Sequence, residues 1–126
     1  MTDLRNSRLE FGLQRIFDAA VLVESYLDGL TKEDFLADRR TQDAVSMNII
    51  VIGENSAKLL ERFGDELTVA YPDIAWKAMR GMRNRMAHGY EDTDFEMVWD
   101  TAKTYIPHLV AALKEKGIRP KPSVAI

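Results

Sequence analysis

The stretch AVSMNIIVIGENSAKLLERFG, residues 44–64, contains the pattern from which the fold of this chain is predicted. Its run IIVI, residues 49–52, is apolar around most of the circumference of a helix, which is typical of a helix enclosed by its neighbours. The helical pattern extends from about Arg39 to Phe63, and Gly64 supplies a stop signal. We therefore expect a long central helix around which the other segments pack.

The segment before this helix predicts two more helices. Its apolar residues recur at alternating spacings of four and three, which place them on one stripe of a long helix. The members of that stripe are Leu9, Leu13, Ile16, Ala20, Val23 and Leu27, with Gly29 as the stop signal. Thr31 then has the form of an N-cap with acids in the following turn, which predicts a short helix through about Ala37.

Two further helices are predicted after the central one. The turn-like segment YPDIAW, residues 71–76, indicates a helix entry, because proline fits the first helical turn. Gly89 should end this helix, whose apolar pattern is Ile74, Ala78, Met79, Met82 and Met86. Thr93, with Glu96 three residues on, has the form of a capping box for a last helix, in which Pro107 should cause a kink.

The fold class predicted from these elements is all-α, an antiparallel bundle of four long helices and a short one. Residues 1–116 form a single domain in this prediction. Residues 117–126 are expected to be a loose tail, since two of the last seven residues are prolines.

Composition excludes several classes of protein. The 126 residues suit one domain, and the net charge of −3 argues against broad, non-specific nucleic-acid binding. The longest apolar run has four residues, so no membrane span is expected. The absence of cysteine and of an apolar leader near the start favours a cytoplasmic location.

The segment MRNRMAHGY, residues 82–90, lies where charge is segregated along the chain. Between positions 77 and 88 there are bases and no acid, whereas positions 91–100 have five acids and no base. The bases are Lys77, Arg80, Arg83 and Arg85. This local basic patch makes RNA contact through Lys77, Arg80 and Arg85 a reasonable expectation despite the acidic total.

Within this segment, the residue types suit acid–base chemistry on a phosphate. Arg83 and His88 are five residues apart, which is about 140° on an ideal helix, whereas Asn84 and His88 share a face. A flexible arginine can still reach that face. An imidazole can move a proton and a guanidinium can stabilise a phosphorane-like transition state, and RNA cleavage by the adjacent 2′-hydroxyl needs these two functions and no metal.

The same residues also allow simpler, structural interpretations. Bases favour a helix C-terminus through the helix dipole, and His88 would then simply lie near a cap. His108 has no carboxylate at metal-ligand spacing, which favours a structural or surface role, and the methionines favour core or subunit interface. Gly53 can allow close helix packing, with a catalytic role for Glu54 as the alternative to a structural one.

A resemblance to a known family bears on this choice. The segment PDIAWKAMRGMRNRMAHGYEDTDFEMVW, residues 72–99, resembles the signature of the HEPN superfamily, specifically its HepT-like branch. That branch shows an arginine, four residues, a histidine, one residue and a tyrosine, which correspond to Arg83, His88 and Tyr90, and Asn84 is the polar residue usual after the arginine. IGENSAKL, residues 52–59, is similar to the glycine-and-glutamate segment of the branch.

The resemblance implies a homodimeric helical bundle that is a metal-independent endoribonuclease without a cofactor. It implies the toxin of a type II/VII-like toxin–antitoxin pair, silenced by an MNT-type nucleotidyltransferase that transfers AMP to Tyr90. In this reading His88 is the general acid or base, Arg83 stabilises charge on the phosphate of the RNA substrate, and Asn84 orients one of them. The alternative is a non-catalytic helical subunit that docks a nucleotidyltransferase and helps to bind its nucleotide or substrate.

Overall fold

The fold is built from helices connected by short turns. A computed structural model describes the backbone of residues 4–120 and the side chains of residues 7–120, and this part of the chain has no strand. The elements are α1 (Leu4–Leu27), α2 (Lys32–Leu36), α3 (Arg39–Phe63), α4 (Asp65–Ala70), α5 (Trp76–His88), a 3-10 helix (Tyr90–Asp92) and α6 (Phe95–Glu115). The all-α prediction is confirmed.

Helix α3 occupies the centre of the bundle, with the bounds expected from the sequence. It packs mainly against α1 and α5, and also contacts α2, α4 and α6. Its N-terminus is capped by the Asp38 carboxylate, which accepts a hydrogen bond from the Thr41 amide. Ile49 and Ile52 are buried, while Ile50 and Val51 are only partly covered, so one face of α3 remains accessible.

Helices α1 and α6 complete the core. The stripe predicted for α1 is buried from Leu13 to Leu27, and Leu9 packs against its edge. Helix α6 packs against α1 through its own apolar stripe. The buried members of that stripe are Val98, Ala102, Ile106, Leu109, Val110 and Leu113.

A short helix after α3 was not expected from the sequence. Gly64 ends α3 as predicted, but it is also the N-cap of α4, and its φ of 54° lies in the left-handed region that favours glycine. Asp65 and Glu66 follow in the first turn of α4, where carboxylates are favoured by the helix dipole. Leu67 anchors α4 in the core.

The turn predicted before α5 is present at residues 72–74, but the helix itself begins late in the predicted segment. The helix begins at Trp76 rather than within a turn of Pro72, and Ile74, which was expected on the helix, lies before it and is buried. Hydrogen bonds stabilise this turn, because the Ile74 amide donates to the Tyr71 carbonyl at 3.3 Å and the Trp76 indole N–H donates to the same carbonyl at 3.2 Å. The Ala75 amide, beside it, donates to the Tyr105 hydroxyl at 3.0 Å.

The predicted capping box of α6 was also wrong. The N-cap is Asp94, whose carboxylate accepts from the amides of Glu96 and Met97, and not Thr93. The Thr93 hydroxyl instead donates to the Gly89 carbonyl, and the Glu96 carboxylate pairs with Lys32 of α2 at 3.0 Å. Because the cap lies one residue later than expected, Thr93 and Glu96 both have partners other than those of a capping box.

The C-terminal part of the chain is described as far as residue 120. Helix α6 is continuous through Pro107, and the kink expected there stays a prediction. Just beyond the helix, the Arg119 carbonyl accepts from the Gln14 side chain of α1 at 2.8 Å, and Ile118 packs against the core. Residues 121–126 of the expected loose tail lie outside the described residues, and the domain limits stay a prediction.

Candidate active site

The closest approach of α3 and α5 lies under the basic segment. A Cβ atom added to Gly53 would lie 2.3 Å from the Arg83 Cβ and 2.7 Å from the Met79 carbonyl oxygen. Real Cβ atoms do not tolerate such distances, so only glycine fits at this crossing. The glycine expected to allow close packing does so, and it brings the GEN segment of α3 against the arginine of the motif.

The motif arginine is held by α3. The Arg83 Nη1 donates to the Glu54 Oε2 at 3.1 Å, and the two side chains are 23% and 46% exposed. The Arg83 Nε is buried and has no hydrogen-bond partner among the described residues. Glu54 therefore orients the guanidinium, and the exposed part of the Arg83 side chain remains accessible to a bound anion.

The motif histidine lies on a different side of the same helix. His88 is the last residue of α5, it is exposed, and Gly89 caps the helix as predicted by donating its amide to the Arg85 carbonyl. Asn84 is exposed one turn earlier. Within residues 7–120, no hydrogen bond or ion pair joins Asn84 or His88 to Arg83, so one chain does not bring all three side chains together.

The motif tyrosine is bound to the start of α3. The Tyr90 hydroxyl donates a short hydrogen bond to the Asp43 Oδ1, and the Arg39 Nε donates to the same oxygen at 2.9 Å. The Arg39 guanidinium also lies over the Tyr90 ring at 5.6 Å and over the Phe95 ring at 5.8 Å. These contacts fix the 3-10 helix that follows His88 onto α3.

This cluster changes the ionisation of its members. Burial raises the pKa of Tyr90, and the hydrogen bond to the Asp43 carboxylate raises it further. The Tyr90 hydrogen bond, followed by the one from Arg39, lowers the pKa of the Asp43 carboxyl. Tyr90 is therefore a neutral donor to an ionised carboxylate.

A cavity of about 300 Å³ opens beside the tyrosine. Its lining combines the polar pair with apolar side chains of α3 and α5: Asp43, Met47, Ile50, Met86, Ala87 and Tyr90. The chemistry of this lining would accommodate a flat apolar group next to the phenol oxygen.

The remaining predicted residues lie along the outside of α5. Lys77 and Arg80 are exposed on the same stripe of the helix as Asn84 and His88. Arg85 is also exposed and contacts the Met82 sulfur at 3.9 Å. These side chains are accessible to a ligand, and their assignment to RNA binding stays a prediction.

The surroundings of His108 and of the methionines favour structural roles for these residues. The His108 ring nitrogen Nε2 lies 3.2 Å from the Asp73 carbonyl oxygen. Met79 and Met86 are buried and Met82 packs against them, which favours core over cofactor binding. Among residues 7–120 there is no group of three or more His, Asp or Glu side chains placed to hold a metal ion.

None of the helices described between residues 4 and 120 combines the length and the apolar character that crossing a bilayer requires.

Comparison with known proteins identifies the family. The model of the family described as "Ribonuclease HepT-like" matches residues 16–115, which includes α3, α5 and the whole motif. The chain therefore belongs to the ribonuclease HepT-like family. The predicted family and the enzyme class it implies, an endoribonuclease, are confirmed at this level.

Individual relatives agree with the family. A protein named "Probable ribonuclease HepT" from Thermococcus cleftensis is 35% identical over 97 residues, which cover 77% of this chain and 84% of the relative. A "Putative RNase" from Methanocaldococcus jannaschii is 31% identical over 90 residues, 71% of each chain. One from Caldanaerobacter subterraneus is 26% identical over 103 residues, covering 82% of this chain and 88% of the relative. No solved structure matches the chain.

Proposed function

We propose that this chain is the toxin of a toxin–antitoxin pair and cleaves RNA without a metal ion, acting as a homodimer in the cytoplasm. The observation that supports it most directly is the arrangement at the α3–α5 crossing. Gly53 and Glu54 fix Arg83 against α3, while His88 remains accessible at the end of the same helix. A fixed cation and an accessible imidazole are the two functions that metal-independent RNA cleavage needs.

The reaction uses the 2′-hydroxyl of the RNA as the nucleophile. His88 accepts or donates a proton as the bond from the 2′-oxygen to phosphorus forms and the bond to the 5′-oxygen breaks. Arg83 stabilises the extra negative charge on the phosphorane-like transition state. Asn84, one turn before His88 on the same stripe of α5, orients the imidazole or the phosphate, and Lys77, Arg80 and Arg85 bind the neighbouring backbone.

A homodimer would bring the two kinds of side chain together. Arg83 packs towards α3 and His88 faces solvent about 140° away on the helix, so a second copy related by a two-fold axis supplies the missing partner to each motif. An exposed apolar strip on α3, formed by Met47 and Ile50, gives such a dimer a contact surface. Met47 is 59% exposed, and Ile50 is partly covered.

Regulation would act on Tyr90. An MNT-type nucleotidyltransferase antitoxin transfers AMP from ATP to its hydroxyl, so that the bond to the α-phosphorus forms as pyrophosphate and the phenol proton are released. The phosphodiester then replaces the proton that Tyr90 donates to Asp43. The added phosphate is negative, and it lies two residues from His88, where it repels RNA and competes for Arg83. Arg39, already over the Tyr90 ring, would pair with this phosphate.

The test is RNA cleavage in EDTA by purified protein whose Tyr90 is shown by mass to be unmodified. Wild type should cut the RNA, and His88→Ala, prepared in the same way, should not. Arg83→Lys serves as a matched variant, because it keeps the charge but loses the planar fork that holds Glu54 and phosphate. If His88→Ala cuts as fast as wild type, the histidine has no catalytic role. If neither protein cuts, the binding-subunit function is the better account.

A further inference from the structure

Besides the cavity next to Tyr90, an open groove of about 680 Å³ lies between α1 and α3. Its polar lining is predominantly basic, with two residues from each helix: Arg8, Arg15, Lys58 and Arg62. All four of these side chains are exposed, and within residues 7–120 none of them forms an ion pair. Four accessible cations on one groove of a chain whose net charge is −3 are a local reversal of its charge.

The groove is continuous with the candidate active site. Glu54 lines it and, at the same time, accepts the hydrogen bond from Arg83 at 3.1 Å. Because Arg83 neutralises this carboxylate, Glu61 is the only acid in the described lining whose charge opposes the four bases. A polyanion bound along the groove would therefore reach the motif arginine without crossing an acidic surface.

An aromatic ring lies among these bases. Phe11 lines the groove with 58% of its surface exposed, and the Arg15 guanidinium lies 5.7 Å from the centre of its ring. Aromatic rings and guanidinium planes stack on nucleobases, which are accessible for stacking only where the strand is unpaired. A large exposed phenylalanine between cations is therefore a feature of a single-strand binding surface rather than of a duplex-binding one.

We propose that this groove between α1 and α3 binds single-stranded RNA and leads it to Arg83. The proposal rests on the proposed ribonuclease function. The phosphates lie on Arg15, Lys58 and Arg62, with Arg8 at the edge, and one base stacks on Phe11. The basic side chains on the outside of α5 then contact the RNA strand beyond the cleavage point. The substrate therefore extends on both sides of the motif.

The test is the affinity of the full-length protein for a fluorescent single-stranded RNA, with His88→Ala as the background so that the RNA stays intact. Removing one phosphate contact should weaken binding roughly fivefold at about 0.1 M salt and reduce the slope of log K against log salt by about 0.7. We expect this for Arg15→Gln, Lys58→Gln and Arg62→Gln. Phe11→Ala should weaken binding by roughly fivefold or more through lost stacking, with little change in slope.

Lys114→Gln is the matched control, because it removes one exposed charge from α6, away from the groove. Circular dichroism establishes that each variant is folded. Wild-type affinity and slope in all three basic variants would overturn the proposal, as would weakening by Lys114→Gln of the same size. Loss of the dimer in the groove variants with unchanged RNA affinity would overturn it too, since the groove would then be a subunit contact. Cleavage by the parent protein with His88 intact, measured in parallel, reports separately on the proposed function.

Discussion

Asp43 is the residue on which the surroundings of Tyr90 depend, because it accepts hydrogen bonds from both Tyr90 and Arg39. Burial raises the pKa of Tyr90, and the Asp43 carboxylate raises it further, because it accepts the phenol proton and would repel the ionised phenol. Asp43→Asn should therefore lower the pKa of Tyr90. The tyrosinate absorbance, followed against pH and compared with Tyr90→Phe to identify the transition, measures the change.

The same shift has a consequence for stability. A group whose folded pKa is raised contributes stability that is present below its unfolded pKa and is lost as the pH rises through the folded value. Wild type should therefore lose more stability in alkali than Asp43→Asn does. Identical Tyr90 titrations in the two proteins would mean that the carboxylate does not interact with the phenol in solution.

Gly53 is the residue that sets the distance between α3 and α5. Gly53→Ala places a methyl group within 2.3 Å of the Arg83 Cβ, so we expect it to destabilise the fold by about 1–3 kcal/mol and to slow RNA cleavage. Gly81→Ala is the matched control, because an added Cβ meets nothing within 4 Å, and it should stabilise by about 0.5–1 kcal/mol. Urea unfolding of both variants tests this, and a Gly53→Ala protein as stable as wild type would contradict the close crossing.

For single residues, the sequence predicts the features that depend only on near neighbours along the chain. The spacing of Arg83 and His88 correctly places them on different sides of one helix, and Gly53 was expected to allow close packing. The Tyr90–Asp43 bond joins residues 47 positions apart. The Arg83–Glu54 bond joins residues 29 positions apart. Such pairs depend on how α3 packs against the following elements, and no spacing in a single sequence reports that.

The ends of a helix are set by its capping residues, and for α6 the cap predicted from the sequence can be compared with the cap in the structure. The structure places the cap at Asp94, whose carboxylate accepts two amide hydrogen bonds, whereas the sequence pattern favoured Thr93. Asp94→Ala should therefore lower the unfolding free energy by about 1 kcal/mol, and Thr93→Ala by less. Denaturant unfolding of the two variants measures both losses of unfolding free energy. A larger loss for Thr93→Ala would mean that Thr93, as the sequence pattern predicted, is the cap.

The elements that the sequence predicted best are those with strong signals at both ends. Helix α3 has a carboxylate cap, a continuous apolar run and a terminal glycine, and its bounds were predicted correctly. Helix α4 has only six residues and a single buried side chain, Leu67, which is too little for a periodic pattern. Ile74 was expected on α5 but lies before it, where the neighbouring Ala75 amide donates to the Tyr105 hydroxyl of α6, a tertiary bond that no local pattern reports.

In the proposed homodimer, the accessible apolar strip on α3 is expected to be the contact between the two chains. Met47→Asp introduces a charge into the strip and should raise the dimer dissociation constant at least about tenfold, with loss of cleavage at low protein concentration. Val69→Asp is the matched control, because Val69 is 78% exposed on α4 and lies outside the strip. Sedimentation of both variants measures this, and equal dissociation constants would mean that the strip is not the interface.

The whole-molecule fold followed from helical patterns because each long helix has its own apolar stripe, and Val23 and Leu27 are buried as their spacing required. The assembly of the site did not follow in the same way. Arg83 and His88 are only five residues apart in sequence, but they face different sides of α5. In the proposed dimer their cooperation depends on a second chain, which no pattern within one chain describes.

The most direct measurement is therefore RNA cleavage in EDTA by Arg83→Ala and His88→Ala proteins, each alone and after mixing and subunit exchange. Each variant alone has no intact pair of motif side chains and should be inactive. A mixed dimer retains one Arg83 and one His88 on opposite chains, so a shared site predicts that mixing restores part of the wild-type rate. A mixture as inactive as its two components, with exchange verified by mass, would contradict a site completed by the second chain.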